Sequence, residues 1–354
     1  MLSDWFASRG VARTTLPDGG SVALRFSSST DEHLATRRGV GVFDFSFMGW
    51  WEVAGTDAQA CLERLQTRDL TKLARGNAFY TLLCRDDGSV FIDATVWHVE
   101  RNRFWLFTGR RSDIAHIGAI ASRFDIGIVP MHDRYAVIAV QGPASAALVK
   151  RALPGSDAAA LAFFAFSRAV IDDRDAWIAR LGYSGELGYE LLVPTDCAIA
   201  MWTRLTQTPL DAERRECGME AANSLRIEAG YIHFAHELRG RVLPAELGLS
   251  RLVQTARADF IGAPALQMAG PPKRRLAGVV LSQGGTSADS RHARDAEVRV
   301  RLTSEAYSPT LNRVLGLAFV DAHVAQGVAV ATEDERSGVL TGLPLRTRND
   351  GRRA

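Results

Sequence analysis

Arg180-Leu-Gly-Tyr-Ser-Gly-Glu-Leu-Gly-Tyr-Glu190, continued by Leu191-Leu192-Val193-Pro194, is the stretch on which the reading of this chain turns. An apolar run from Ala176 to Leu181 leads in, a glycine-rich turn follows, and Tyr189 to Val193 leads out. That is the pattern of a β-hairpin with a wide turn. Glycines at 182, 185 and 188 resemble a dinucleotide fingerprint, but that motif opens a helix, and here a second strand follows. A nucleophile elbow is excluded because Ser184 has no glycine two residues on. What remains is Glu190, a carboxylate in mid-strand, where acidic residues are depleted. Alternation puts Tyr189, Leu191 and Val193 on one face and Glu190 with Leu192 on the other. Two readings stand for Glu190: a ligand-facing carboxylate, or a solvated edge position.

At 354 residues the chain exceeds one ordinary core, so two or three domains are expected. A hydrophobic content of 47% with 23% charged residues is that of a globular protein. A net charge of +2 predicts no strong attraction to nucleic acid or to a membrane surface. Cys61, Cys84, Cys197 and Cys217 form no CxxC pair, and so few cysteines in so long a chain point to a reducing compartment. The longest apolar run, Leu161 to Ile171, is broken by Ser167 and Arg168 and is too short to span a bilayer. A cytoplasmic protein is therefore expected. No metal-ligand spacing occurs; His98, His116, His132, His233 and His236 are scattered.

Upstream of the hairpin, Gly55-Thr56-Asp57 opens a helix, and Tyr80–Cys84 and Val90–Val99 flank the turn Arg85-Asp-Asp-Gly88 as a second hairpin. Arg103 to Thr108 is a third strand, after which Ser112 or Asp113 caps a helix reaching Phe124. This is an α+β module with a ferredoxin-like order. Asp93 lies mid-strand on the face of Phe91, Thr95 and Trp97, opposite the core residues Val90, Ile92, Ala94 and Val96. An acid among aromatics is open to desolvation, which raises its pKa and suits proton transfer; a solvated sheet face is the other reading. Gly218 to Ala229 is a helix closed by Gly230, and Arg226 near its end complements the helix dipole or grips an anion. Past Pro271-Pro272-Lys273 the chain turns to short strands, a separate β domain.

Eight stretches, in order, resemble the glycine-cleavage T-protein (aminomethyltransferase) family. They are Arg37–Met48, Leu65–Leu73 with Tyr80–Leu83 and Asp87-Gly88, Gln141-Gly-Pro143, Gly182–Glu190, Leu225–Gly230, Ala235–Leu238, Asp259–Gly262 and Ser308–Leu311. The resemblance implies an α+β fold of three domains in a cloverleaf around a central folate channel. Residues 1–49 plus 133–255 would form a discontinuous folate-binding domain, 50–132 the ferredoxin-like domain, and 256–354 a jelly-roll-like β barrel. It implies one-carbon transfer to tetrahydrofolate giving 5,10-methylenetetrahydrofolate, with a small-molecule one-carbon donor or a lipoyl carrier protein as partner. Asp93 would be the catalytic acid. Glu190 would hold the pterin ring, Tyr80 and Tyr183 would contact the cofactor, Met48 would form an apolar wall, and Arg226 would stand near the site.

Four positions depart from that pattern. Phe47 replaces a histidine, Ile92 replaces the first acid of an Asp-Asp pair, and Thr108-Gly109 stands where the family has Asn-Ala. They leave two other functions open: a folate-dependent demethylase of a small O-, S- or N-methyl compound, and a folate-binding protein without catalysis.

Overall fold

The computed structural model describes residues 2–16, 19–254, 256–257, 259–282 and 298–346. The hairpin expected from the sequence is there. Arg174–Ala179 and Gly188–Pro194 run antiparallel, with Trp177 opposite Leu192 and Ala179 opposite Glu190. They belong to a six-stranded sheet in the order Phe166–Ile171, Arg174–Ala179, Gly188–Pro194, Tyr135–Gln141, Val40–Asp44, Arg214–Cys217. The strand bearing Glu190 is central, and every one of its residues is buried. The solvated-edge reading of Glu190 fails on that placement. Tyr189, Leu191 and Val193 enter one core with Trp202, while Leu192, on the Glu190 face, enters a second core with Phe43, Phe45 and Leu225.

The wide turn is shaped by Gln141. Its amide donates to the carbonyls of Leu181 at 3.3 Å and Tyr189 at 3.4 Å and accepts from the Ser184 hydroxyl at 2.8 Å. A Cβ at Gly182 or Gly188 would lie 1.9 or 2.2 Å from the Gln141 Oε1 atom, so the glycines are needed for this close approach.

A second sheet has five strands, ordered Ala78–Cys84, Val90–Glu100, Arg103–Thr108, Gly49–Ala54, Gly127–Pro130. Its last four strands follow the ferredoxin-like order, and Ala78–Cys84 is added at the edge. Helices Ala58–Leu65 and Ile114–Ala121 pack on it through Cys61, Leu62, Leu65, Ile117 and Ala121. The burial of Val90–Glu100 alternates up to Val96, putting Val90, Ile92, Ala94 and Val96 in the core and leaving Asp93 and Thr95 half-buried opposite. A third, C-terminal sheet of six strands is curled into a half-barrel, with Ser337–Thr341 and Arg274–Leu281 at its centre. The class is α+β, as expected. Among the described residues no helix is long and apolar enough to cross a membrane.

A buried ionic network ties these layers together. Glu228, on the helix Met219–Glu228, takes Arg37 Nε at 2.9 Å and Nη2 at 2.7 Å, meets His33 at 3.1 Å, and accepts from the Ser308 hydroxyl. Arg37 also donates to the Ser184 carbonyl and to Glu186, each at 2.8 Å, and Arg346 closes the set on Glu186 at 2.7 Å. The charges and the glycine-rich turn are thus held in one lattice. Its charges hold the Glu228 carboxyl down at about 2, against the burial that would raise it.

Candidate functional site

Glu190 is 5% exposed, and no donor meets its carboxylate among the described residues. Burial pushes its pKa up to about 8. A buried carboxylate is normally hydrogen-bonded, because an unpaired one is costly. On its face lie the apolar neighbours of the second core, to which half-buried Met48 and Tyr183 add their side chains. Tyr183 is held by its hydroxyl, which donates to the Ile232 carbonyl at 2.5 Å, and its ring stacks on Tyr231 with centroids 5.9 Å apart.

Asp93 faces this wall from the five-stranded sheet. The Tyr80 hydroxyl, on the neighbouring strand, donates to Asp93 Oδ2 at 3.0 Å. Burial pushes the Asp93 carboxyl up to about 6, partly offset by the Tyr80 hydrogen bond. Burial first, then Asp93, lifts the Tyr80 phenol, with Tyr183 and Tyr231 adding to it. Burial lifts Tyr183 as well, opposed by the Arg226 charge and reinforced by Asp93. Asp93 therefore stands among three tyrosines, and burial moves both carboxyls towards neutral pH. One can take or give a proton during chemistry; the other, lacking any protein donor, can accept two parallel N–H bonds from a planar ligand.

Arg226 is placed differently from a free anion-gripping cation. It is 1% exposed, and its guanidinium donates to Asn223 at 2.9 Å, to the Tyr231 carbonyl and Glu237 at 3.0 Å each, and to Ser304 at 2.6 Å. It braces Tyr231 and the C-terminal sheet. Ile92, which stands where the resemblance expects an acid, points into the core and is fully buried, so that departure leaves the wall unaltered. Gly109 makes room for a ring of the neighbouring core. A Cβ there would lie 2.3 Å from Phe234 Cδ1, so glycine admits the Phe234 ring, which lies under Arg110 at 5.3 Å and against His233 at 4.5 Å. Tyr231, Arg110 and Asp113 were not singled out as site residues by the sequence. Asp113 reads as a helix cap but makes no side-chain cap bond. Among the described residues no cluster of three or more His, Cys, Asp or Glu residues could hold a metal.

Residues 2–257 match the GCVT N-terminal domain family. The chain belongs to this family. Its relatives are named as enzymes, aminomethyltransferases. That of Streptomyces avermitilis is 34% identical over 336 residues, covering 90% of this chain and 88% of its own. That of Bacillus subtilis is 33% identical over 340 residues, covering 93% and 92%. The fold is that of the crystal structure of glycine cleavage system aminomethyltransferase T from Bartonella henselae, with TM-score 0.83, 23% identity, and 98% and 97% of the two chains covered. Several residues of the stretches that carry the resemblance, Arg37, Glu186, Glu228 and Ser308, serve the buried ionic lattice.

Proposed function

We propose that this chain transfers a one-carbon unit from an aminomethyl-type donor to tetrahydrofolate, giving 5,10-methylenetetrahydrofolate. The observation that carries the reading is the buried, donor-free Glu190 carboxylate on the strand face joined by Tyr183 and Met48, with Asp93 acting on Tyr183 from the other sheet. The cofactor supplies the nucleophilic nitrogens that accept the carbon. Glu190 would accept the N–H groups of the pterin edge, Tyr183 and Met48 would flank the ring, and Tyr80 would orient Asp93. Asp93 would hold or release a proton beside the reacting end. Arg226 would act at one remove, by fixing Tyr231. In this reading residues 1–49 with 133–255 form the folate-binding domain, 50–132 carries Asp93, and 256–354 closes the channel. A lipoyl carrier protein bearing the aminomethyl group is the expected partner, in the cytoplasm.

The demethylase reading keeps one specific support: Gly109 and Phe234 reshape the end of the wall next to Asp93, where a donor would enter. Calorimetry with tetrahydrofolate tests the site. Glu190→Ala should weaken binding by about 2–3 kcal/mol, while Asp93→Asn should bind nearly as the wild type does. Turnover with an aminomethylated lipoyl carrier should fall roughly 10²–10⁴-fold in Asp93→Asn. Equal affinity for wild type and Glu190→Ala would remove the pterin assignment. A methylated rather than methylene product, formed from N-, S- or O-methyl compounds alone, would favour demethylation.

A further inference from the structure

A cavity of about 530 Å³ lies between the turn at Arg85, the end of the helix Ala58–Leu65, the helix Ile114–Ala121 and the loop at Ile261. Met48, Tyr80, Asp93, Tyr183 and Glu190 are not among its lining residues. Its rim is braced by the chain itself. The Ile261 amide donates to the Arg64 carbonyl at 3.0 Å, and Arg64 Nη1 donates to the Asp259 carbonyl at 2.7 Å. A Cβ at Gly262 would lie 2.5 Å from the Arg85 carbonyl oxygen, so the loop sits directly on the turn. Ile120, Phe124 and Ile261 give the cavity an apolar floor, and the first two pack on the core beneath. Three guanidiniums, those of Arg64, Arg85 and Arg123, stand around that floor against one carboxylate, Asp86. Arg85 uses Nη1 on the Val90 carbonyl at 2.6 Å and the Ser89 hydroxyl at 3.4 Å and lies 5.3 Å from the Phe91 ring centre. The Arg123 side chain has no hydrogen bond or ion pair among the described residues. His116, also on the lining, rests its ring on Phe91 with centres 4.2 Å apart and leaves its Nε2 atom buried without a partner.

We propose that this cavity binds a small organic anion, a carboxylate or phosphate group carried on an apolar ring, with the oxygens held by Arg64, Arg85 and Arg123 and the ring laid on Ile120, Phe124 and Ile261. Charge complementarity selects that class. Three positive charges against one negative leave a surplus of two on one hollow, and a cleft of one sign focuses its field on what enters. A guanidinium fork matches the paired oxygens of a carboxylate or phosphate. Arg64 and Arg85 each keep nitrogens beyond the one they use, and Arg123 keeps all of its own. An inorganic anion would leave the apolar floor in water, and a neutral ring would leave the cations unmatched. A cavity of several hundred Å³ with an apolar floor and a few charged groups at its rim has the form of a small-molecule site. The ligand would touch both the five-stranded sheet's helices and the loop at Ile261, which leads towards the strand Arg274–Leu281.

The test is calorimetric titration of the full chain with 1-naphthyl phosphate and 1-naphthoate, which carry both parts. The controls are 1-naphthol, which lacks the charge, and inorganic phosphate, which lacks the ring. At least one naphthyl anion should bind saturably, roughly tenfold or more tighter than either control, and the stronger of the two assigns the head group. Arg123→Glu, at an exposed position without a side-chain partner, should melt as the wild type does and weaken that binding roughly tenfold or more. Ala119→Trp, on the exposed rim, should fill the cavity and weaken it as much with no change of charge. Saturating tetrahydrofolate should leave the affinity unaltered, so the outcome is independent of the function proposed above. Absence of saturable binding by both anions overturns the proposal, as does a control that binds equally well. Wild-type affinity in either variant, or displacement by tetrahydrofolate, overturns it too. Should Ala119→Trp not fold, Arg123→Glu decides alone.

Discussion

Replacing Glu190 by glutamine should stabilise the ligand-free protein, and the gain should depend on pH. In the unfolded chain this glutamate ionises near its ordinary value of 4.5; in the fold burial lifts it to about 8. Between those values the unfolded state has released a proton that the native state still holds. Stability therefore falls as pH rises through this window. At pH 7 the interval from 4.5 is about two and a half units, which at about 1.4 kcal/mol per unit is about 3 kcal/mol of native-state penalty, an upper bound because the site can relax or admit water. Glutamine keeps the shape and has no proton to lose. Thermal melting of both proteins should give nearly coincident midpoints at pH 5 and a glutamine variant more stable, on the order of 5 °C, at pH 8. The difference between the two curves isolates this one group. Melting curves separated by the same amount at pH 5 and pH 8 would show that Glu190 has a donor or solvent path which the fold does not reveal.

Three further outcomes follow from neighbouring features. If Glu190 is protonated when empty and ionised against a pterin edge, tetrahydrofolate binding at pH 7 should release up to one proton, read as a binding enthalpy that varies with buffer ionisation enthalpy. Glu228→Gln should cost about 3–5 kcal/mol near neutral pH, because it leaves Arg37 buried without its main partner. Its deficit should shrink as pH falls from about 4.5 towards 2, since a depressed carboxyl gives up its stabilisation on the acid side. Gly188→Ala should destabilise through collision with Gln141, and Gln141→Ala in the same chain should recover part of the loss, measured as a negative interaction in a double-mutant melting cycle.

The hairpin, its two faces and the mid-strand acids were legible because they depend on period-two alternation and on the absence of a helix after the glycines. Asp93 and Glu190 stood out since a strand interior tolerates an acid poorly. Other features were carried by contacts between distant residues and left no local pattern. Arg226 reads as a cation complementing a helix end, and only tertiary contacts show it committed to Asn223, Tyr231, Glu237 and Ser304. Asp113 has the sequence context of a cap, and its side chain turns inward because Arg110 outcompetes the helix amides. The partners that glycines 182 and 188 make room for came from Gln141, some forty residues upstream, which no spacing rule within the hairpin could name.

The ionic lattice sets an order of events during synthesis. Arg37 and its carboxylate on Glu228 are 191 residues apart, and His33 meets Thr310 across 277. At the ribosome's pace of about 5–20 residues per second, the helix Ser29–Arg38 that carries them waits roughly 10–40 s for the first of these partners. Through that delay Arg37 can meet Ser184 and Glu186 but not the Glu228 carboxylate that takes two of its nitrogens. The Arg346 amide donates to the Glu228 carbonyl at 2.9 Å, and its guanidinium reaches Glu186. The lattice around Arg37 and His33 is thus completed only by residues far downstream of them.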